Sequence, residues 1–177
     1  MIKIFKVGLI AGLFFLFQSS SVSAQDVNRN RLKLGLENAF AVGDYSELYK
    51  WGIGFSFSLE KSLADKISLT ARAGFLSFSK QTNLGNGKLK RIAEYVPVKG
   101  GVKYYFGPKI YGEAETGMSI SSKNTNMGIS FIYSPGVGVE FGLGGRMKLD
   151  LGFRYESWIK NTSSNFLGLR TAIVLGK

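Results

Sequence analysis

The sequence has 177 residues, with 23 Lys and Arg against 12 Asp and Glu for a formal net charge of +11, and 45% of its residues are hydrophobic. It contains no Cys and no His, which excludes a disulfide framework, thiolate or imidazole metal sites and any Ser–His–acid arrangement. The length suits one domain with a substantial core.

The first 24 residues have the three-part layout of a secretory signal. Lys3 and Lys6 give a positive start, Val7 to Phe17 is an uncharged apolar run, and a small-residue stretch ends Val22-Ser23-Ala24 before Gln25. A membrane-spanning helix needs roughly 20 apolar residues, so the run is too short for a permanent anchor. No Cys follows the cleavage site, which excludes a lipoprotein. Cleavage removes two lysines and no acid, lowering the charge from +11 to +9. No later stretch is long and apolar enough to cross a bilayer as a helix. An exported chain of this kind is soluble in the periplasm, surface-associated, or a barrel formed by residues 25–177.

Beyond residue 30 the pattern has period two, the mark of strands with unlike faces. The first segment sets Leu32, Leu34 and Leu36 against Lys33, Gly35 and Glu37. The second sets Trp51, Ile53, Phe55, Phe57 and Leu59 against Gly52, Gly54, Ser56, Ser58 and Glu60. The third sets Ile67, Leu69, Ala71, Ala73 and Phe75 against Ser68, Thr70, Arg72 and Gly74. In the fourth, Glu94, Val96, Val98, Gly100, Val102, Tyr104 and Phe106 alternate with Tyr95, Pro97, Lys99, Gly101, Lys103 and Tyr105. The fifth is weaker: Ala114, Met118 and Ile120 oppose Tyr111, Glu113, Glu115 and Ser119. The sixth sets Phe131, Tyr133, Val137, Val139 and Phe141 against Ser130, Ser134, Gly136, Gly138 and Glu140. The seventh sets Met147, Leu149, Leu151, Phe153 and Tyr155 against Lys148, Asp150, Gly152, Arg154 and Glu156. The eighth sets Leu167, Leu169, Ile173 and Leu175 against Gly168, Arg170 and Ala172.

The connections alternate too. Lys61 to Lys66, Gly107 to Lys109 and Gly142 to Arg146 are short, while Ala41 to Leu48, Ser79 to Arg91, Ser121 to Gly128 and Ile159 to Asn165 are mostly longer and more polar. Short turns on one rim and longer loops on the other are how outer-membrane barrels are built, with the longer loops facing the exterior.

The polar phase is expected to point inwards. It is rich in Gly and Ser, and Lys33, Arg72, Lys99, Lys103, Lys148, Arg154 and Arg170 share it with Glu37, Glu113, Glu115, Glu140, Asp150 and Glu156. In a narrow lumen, small residues leave room for long charged ones, and opposite charges pair. Arg or Lys on a lipid face costs roughly 2–4 kcal/mol near the midplane, and the apolar phase of segments two, three, six, seven and eight has no charge. A soluble sandwich that seals the apolar phase in a core uses the same residues.

Aromatic residues mark the segment ends. Tyr49, Trp51, Tyr95, Phe131, Tyr133, Tyr155, Trp158 and Phe166 lie at the long-loop ends, and Tyr104, Phe106 and Phe141 at the short-turn ends. That placement predicts two girdles at the membrane interfaces. Pro97 and Pro135 fall inside segments and cannot donate to a ladder, so bulges are expected there. Asn86-Gly87 is a tight-turn signal, which suggests that the long second loop folds as a hairpin tip.

The stretch Tyr95-Val96-Pro97-Val98-Lys99-Gly100-Gly101-Val102-Lys103-Tyr104-Tyr105-Phe106-Gly107, followed by Tyr111-Gly112-Glu113-Ala114-Glu115-Thr116-Gly117, resembles the central strands of the outer-membrane β-barrel domain common in Bacteroidetes-type bacteria. The layout of signal plus eight strands also resembles the small OmpX/OmpA-type barrels. The resemblance implies an all-β, eight-stranded antiparallel up-and-down transmembrane barrel in the bacterial outer membrane. The partners it implies are membrane lipid, lipopolysaccharide and the barrel-assembly machinery. Barrel-type hydrolases and acyltransferases, as families, use an active-site His that this chain lacks. The ending Val174-Leu175-Gly176-Lys177 departs from the terminal aromatic residue of many such barrels.

No cofactor, metal or catalytic residue is expected. Glu113 and Glu115, two apart on one face, could serve as an acid/base pair, but neutralising inward Arg and Lys is the stronger reading. Lys80, Lys88, Lys90 and Arg91 make the second long loop basic; a solvated loop is the first reading, and contact with anionic lipopolysaccharide or another acidic surface is the sharper one. Nucleic acid is not an expected partner of an exported chain. The reading is a monomeric, non-catalytic barrel with a structural or interaction role. A soluble periplasmic ligand-binding barrel and a narrow channel are its alternatives.

Overall fold

Residues that alternate between apolar and polar favour extended backbone whose two faces meet different media, and the described residues are extended almost throughout. The structure, a computed structural model, describes residues 30–84, 87–121, 128–160 and 163–176, with the backbone alone for 80–84 and 87–91. The expected signal segment, residues 1–24, lies outside these, as does Asn86 of the turn signal. In chain order the elements are β1 (Asn30–Val42), one helical turn α1 (Tyr45–Leu48), β2 (Trp51–Ala64), β3 (Ile67–Leu84), β4 (Gly87–Tyr105), β5 (Ile110–Ser121), β6 (Ile129–Gly144), β7 (Met147–Ile159) and β8 (Ser163–Leu175). Each strand pairs with its sequence neighbour, and β1 pairs antiparallel with β8 to close the barrel.

The register sets the width. From Leu32 the paired residues run through Leu59, Ala71, Gly100, Thr116, Tyr133, Ser157 and Asn165 to Val42, so one circuit returns to β1 ten residues along. With a rise of about 3.3 Å per residue and strands about 4.8 Å apart, that stagger gives a tilt of about 40° and a backbone radius of about 8 Å. Side chains fill a cylinder of that width.

The tight turns lie on one rim. Residues 65–66 join β2 to β3 and 145–146 join β6 to β7, the latter through Gly144 and Gly145 at φ 106° and 59°, a left-handed geometry that glycine adopts without a Cβ clash. The register shifts lie near this rim, between Ser62 and Ala64 and between Gly142 and Gly144. The bulges expected at Pro97 and Pro135 are absent. Register is kept from Ala73↔Val98 to Leu76↔Tyr95 and from Tyr133↔Ser157 to Gly136↔Arg154. Each proline leaves a short gap in one ladder and stays paired on its other side, with Ser119 and Ala114 respectively.

Ser79 to Arg91 continues the β3–β4 hairpin, as the turn signal suggested. β3 and β4 pair from Lys80↔Arg91 to Leu84↔Gly87, whereas the β2 ladder stops at Ser79 and the β5 ladder at Tyr95. A two-stranded ribbon therefore stands beyond the barrel wall.

The apolar phase faces out and the polar phase in. Phe55 is 60% exposed and Val137 54%, while Arg72 and Glu113 are buried. That inversion removes the soluble alternative, because an apolar band of this extent is not stable against water but is what a bilayer solvates. Among the described residues no helix is long and apolar enough to cross a membrane; the strands cross it.

Candidate functional site

The inward phase of every strand delivers charge to the lumen. Among the described residues the buried cations are Arg31, Lys33, Arg72, Lys99, Lys103, Arg154 and Arg170, and the buried carboxylates are Glu37, Glu60, Glu113, Glu115, Glu140, Asp150 and Glu156. Seven face seven, so the interior is neutral overall.

The pairs form a continuous column. Nearest the tight turns, Arg31 binds Glu140 at 2.7 Å and also meets Glu60 and Tyr105. Lys33 bridges Glu60 at 2.8 Å, Glu140 at 3.0 Å and Asp150 at 2.7 Å. Lys103 lies 3.7 Å from the centre of the Tyr111 ring and 3.1 Å from Glu60. Tyr111 donates to Asp150 at 2.7 Å and accepts from Arg170 at 2.9 Å. Gly138 makes this possible: a Cβ there would fall on the Tyr111 ring and hydroxyl. Further along, Arg170 meets Glu113 at 3.1 Å, and Arg72 spans Glu113 at 3.4 Å and Glu115 at 3.1 Å. Lys99 links Glu115 at 3.1 Å to Glu156 at 2.8 Å, and Arg154 links Glu156 to Glu37, each at 2.6 Å. A buried charge is tolerated only when it is paired, and here each of the fourteen has an ion-pair partner.

Of the residues singled out from sequence, Arg72, Lys99, Lys103, Glu113, Glu115, Glu140, Asp150, Arg154, Glu156 and Arg170 come together here. Glu113 and Glu115 are each held by cations. Lys148 sits apart at the tight-turn mouth, its side chain 44% exposed and 3.5 Å from Glu140. Arg31 and Glu60 join the network although the sequence reading left them out of it; each lies in phase with its neighbour, two residues from Lys33 and Ser58. Lys80, Lys88, Lys90 and Arg91 lie on the ribbon, where Lys80 pairs with Arg91.

Towards the other mouth the inward phase turns aromatic. Phe78, Ile132, Trp158 and Phe166 cluster with Leu76, Ala39 and Tyr45 of α1, and Tyr49 and Tyr95 pack against them. Ring centroids lie 4.6 Å apart for Tyr95 and Trp158, 5.1 Å for Trp158 and Phe166, and 5.3 Å for Tyr45 and Phe78. Tyr49, Tyr95, Trp158 and Phe166 are therefore not girdle residues. Tyr95, Trp158 and Phe166 stand at even spacing from Lys99, Glu156 and Arg170, so the pleat turns them inwards, and Tyr49 follows α1 over the opening. Trp51, Phe131 and Tyr133 remain exposed at this end, and Tyr104, Phe106 and Phe141 at the other. Phe78, Ile132 and Phe166 have no exposed surface, so the plug closes the lumen. Tyr45 donates to the Tyr95 hydroxyl at 3.3 Å, and burial pushes its phenol above the ordinary value. Below the plug, a cavity of about 20 Å³ among Glu37, Arg72, Lys99 and Glu156 has room for about one water.

With a closed barrel, a lipid-facing exterior and an ion-paired lumen established, similarity to known proteins adds the family. Residues 9–174 match the model described as outer membrane protein beta-barrel domain. The chain belongs to that family. Its place is the bacterial outer membrane, as the apolar exterior requires. No curated protein matches the chain in sequence. Among solved structures, this barrel is similar to Ail, the attachment invasion locus protein of Yersinia pestis, in complex with the heparin analogue sucrose octasulfate. The identity is 12% and the TM-score 0.57 over 84% of this chain and 99% of that one. It is also similar to the outer membrane protein AlkL in DMPC bilayers, at 11% identity and a TM-score of 0.54 over 90% of this chain and 94% of that one. At these identities the likeness is one of fold.

Proposed function

We propose that this outer-membrane barrel is a non-catalytic structural and interaction protein, with its lumen acting as internal scaffold and its ribbon-bearing rim as the working face. One observation carries the reading: seven buried cations and seven buried carboxylates engage one another beneath a closed aromatic plug. That arrangement offers neither a free acid or base nor a path for solutes. Tight turns face the periplasm and the ribbon faces outwards, as in other barrels of this kind. Export removes residues 1–24, the barrel-assembly machinery inserts the chain, and it works as a monomer.

Along the ribbon the backbone register pairs Gln81 with Lys90 and Asn83 with Lys88. A ribbon whose sequence carries Lys80, Lys88, Lys90 and Arg91 suits the anionic sugars and phosphates of lipopolysaccharide. The sulfated sugar bound to Ail, a protein of the same fold, lends this support. The deciding experiment reconstitutes the barrel in planar bilayers and, separately, in vesicles with and without lipopolysaccharide. The reading expects no stepwise conductance, and tighter lipopolysaccharide binding than for Lys88→Gln/Lys90→Gln. Steady single-channel currents would replace it with the channel reading.

A further inference from the structure

The mouth opposite the plug is open. A cavity of about 660 Å³ lies between the β2–β3, β4–β5 and β6–β7 turns, within the range of about 300–1,000 Å³ seen for small-ligand sites. Arg31 and Tyr105 close its inner end, already engaged with Glu60 and Glu140. Gly107, Gly142, Gly144 and Gly145 widen it, since a Cβ on any of them would meet nothing within 4 Å.

Two cations in this wall have spare capacity. Lys148 is 44% exposed on its side chain, with Glu140 3.5 Å away, and Arg146 is exposed with no ion-pair partner among the described residues. Lys61, Lys66 and Lys109 are exposed around the same rim, and Asp65 is its one acid among the described residues. The buried lumen charges cancel, so these rim groups set the sign of the field at the mouth, and it is positive.

We infer that this vestibule is an anion site that takes a phosphate group, with Arg146 and Lys148 as its direct ligands and Asp65 opposing them. Guanidinium presents a planar fork to phosphate oxygens, and ammonium adds a point charge. The phosphate can come from a soluble compound or from a lipid headgroup at the rim; the chemistry is shared.

The test titrates inorganic pyrophosphate into the barrel held in uncharged detergent, following the backbone amide resonances of Gly107, Gly144 and Gly145. Saturable shifts are expected, weakened about tenfold by Arg146→Gln/Lys148→Gln and strengthened several-fold by Asp65→Asn, in about 20 mM salt, where screening is slight. Lys50→Gln/Lys160→Gln, on the far rim, is expected to change nothing. Heat-modifiable gel migration reports that each variant folds, and Asp65→Asn keeps the test decisive even without the double variant. Repeating the titration in nanodiscs separates the sources. Weaker pyrophosphate binding with phosphatidylglycerol than with phosphatidylcholine assigns the site to a headgroup, and equal binding assigns it to a soluble phosphate. Absent shifts, or shifts that the Arg146, Lys148 and Asp65 variants all leave unchanged, overturn the inference.

Discussion

Trp158 donates its indole N–H to Glu156 at 2.7 Å, and both lie on the inward face of β7, so a single strand carries the boundary between the aromatic plug and the ion-pair column. Glu156 also accepts from Lys99 and Arg154. The plug shields the carboxylate from water, and the carboxylate fixes the indole. Trp158→Phe keeps most of the ring and loses the donor, so it should cost about 1 kcal/mol. Trp158→Ala also opens a cavity, and about 3–5 kcal/mol is expected. Urea unfolding of the barrel in lipid vesicles measures both; equal losses would mean that packing contributes nothing beyond the bond.

Glu156→Gln leaves Lys99 and Arg154 without part of their countercharge in a sealed interior. Removing one partner of a buried pair typically costs about 3–5 kcal/mol. Adding Lys99→Met removes one of the stranded cations, so the double variant should recover part of the loss. A double variant less stable than Glu156→Gln alone would show that Lys99 depends on Glu115 rather than Glu156.

The barrel was legible in the sequence because each strand face meets one medium, and a medium is easily read from alternation such as Val137-Gly138-Val139-Glu140. The charge column was legible for the same reason, and Arg31 was missed only because β1 begins at Asn30, two residues before the first alternating leucine. The plug was harder. An aromatic ring suits both a membrane interface and a lumen, so ring identity alone does not separate Trp51 from Trp158. Strand parity does: Trp158 is in phase with Glu156, whereas Trp51 is in phase with Phe55. The ribbon was legible at its tip, from the Asn86-Gly87 turn signal, but its length was not, because it lies beyond the membrane, where neither face must be apolar and backbone pairing alone holds Lys80 opposite Arg91. The prolines misled because a missing donor can be absorbed as a gap in one ladder with no added residue.

Lipid contact predicts a depth-dependent cost on the outer face. Val137 lies midway along β6 and is 54% exposed, and Leu143 lies near its tight-turn end at 53%. Val137→Arg should destabilise the barrel by about 2–4 kcal/mol and Leu143→Arg by about 0–1 kcal/mol. Equal costs in vesicle unfolding would contradict a bilayer centred on the strands.

The link between α1 and the plug should break at high pH. Tyr45 is the buried residue of α1; its hydroxyl bonds Tyr95, its ring meets Phe78 edge-on at 5.3 Å, and Tyr49 packs alongside at 5.2 Å. Burial raises the folded-state pKa above the ordinary phenol value, because a phenolate would lose its hydration there. A group whose pKa is raised on folding binds its proton more tightly in the docked state. Its contribution is therefore complete below the unfolded pKa of about 10 and declines as pH rises above it. The protection factors of the Ser46 and Glu47 amides, in which the intrinsic hydroxide catalysis of exchange cancels, should hold up to about pH 10 and fall beyond it, while those of the strands, held by their own ladders, are retained. Tyr45→Phe should move that transition upwards, and at neutral pH it should cost about 1 kcal/mol for the lost bond to Tyr95. An alkaline transition that is the same in both proteins would place its origin outside Tyr45.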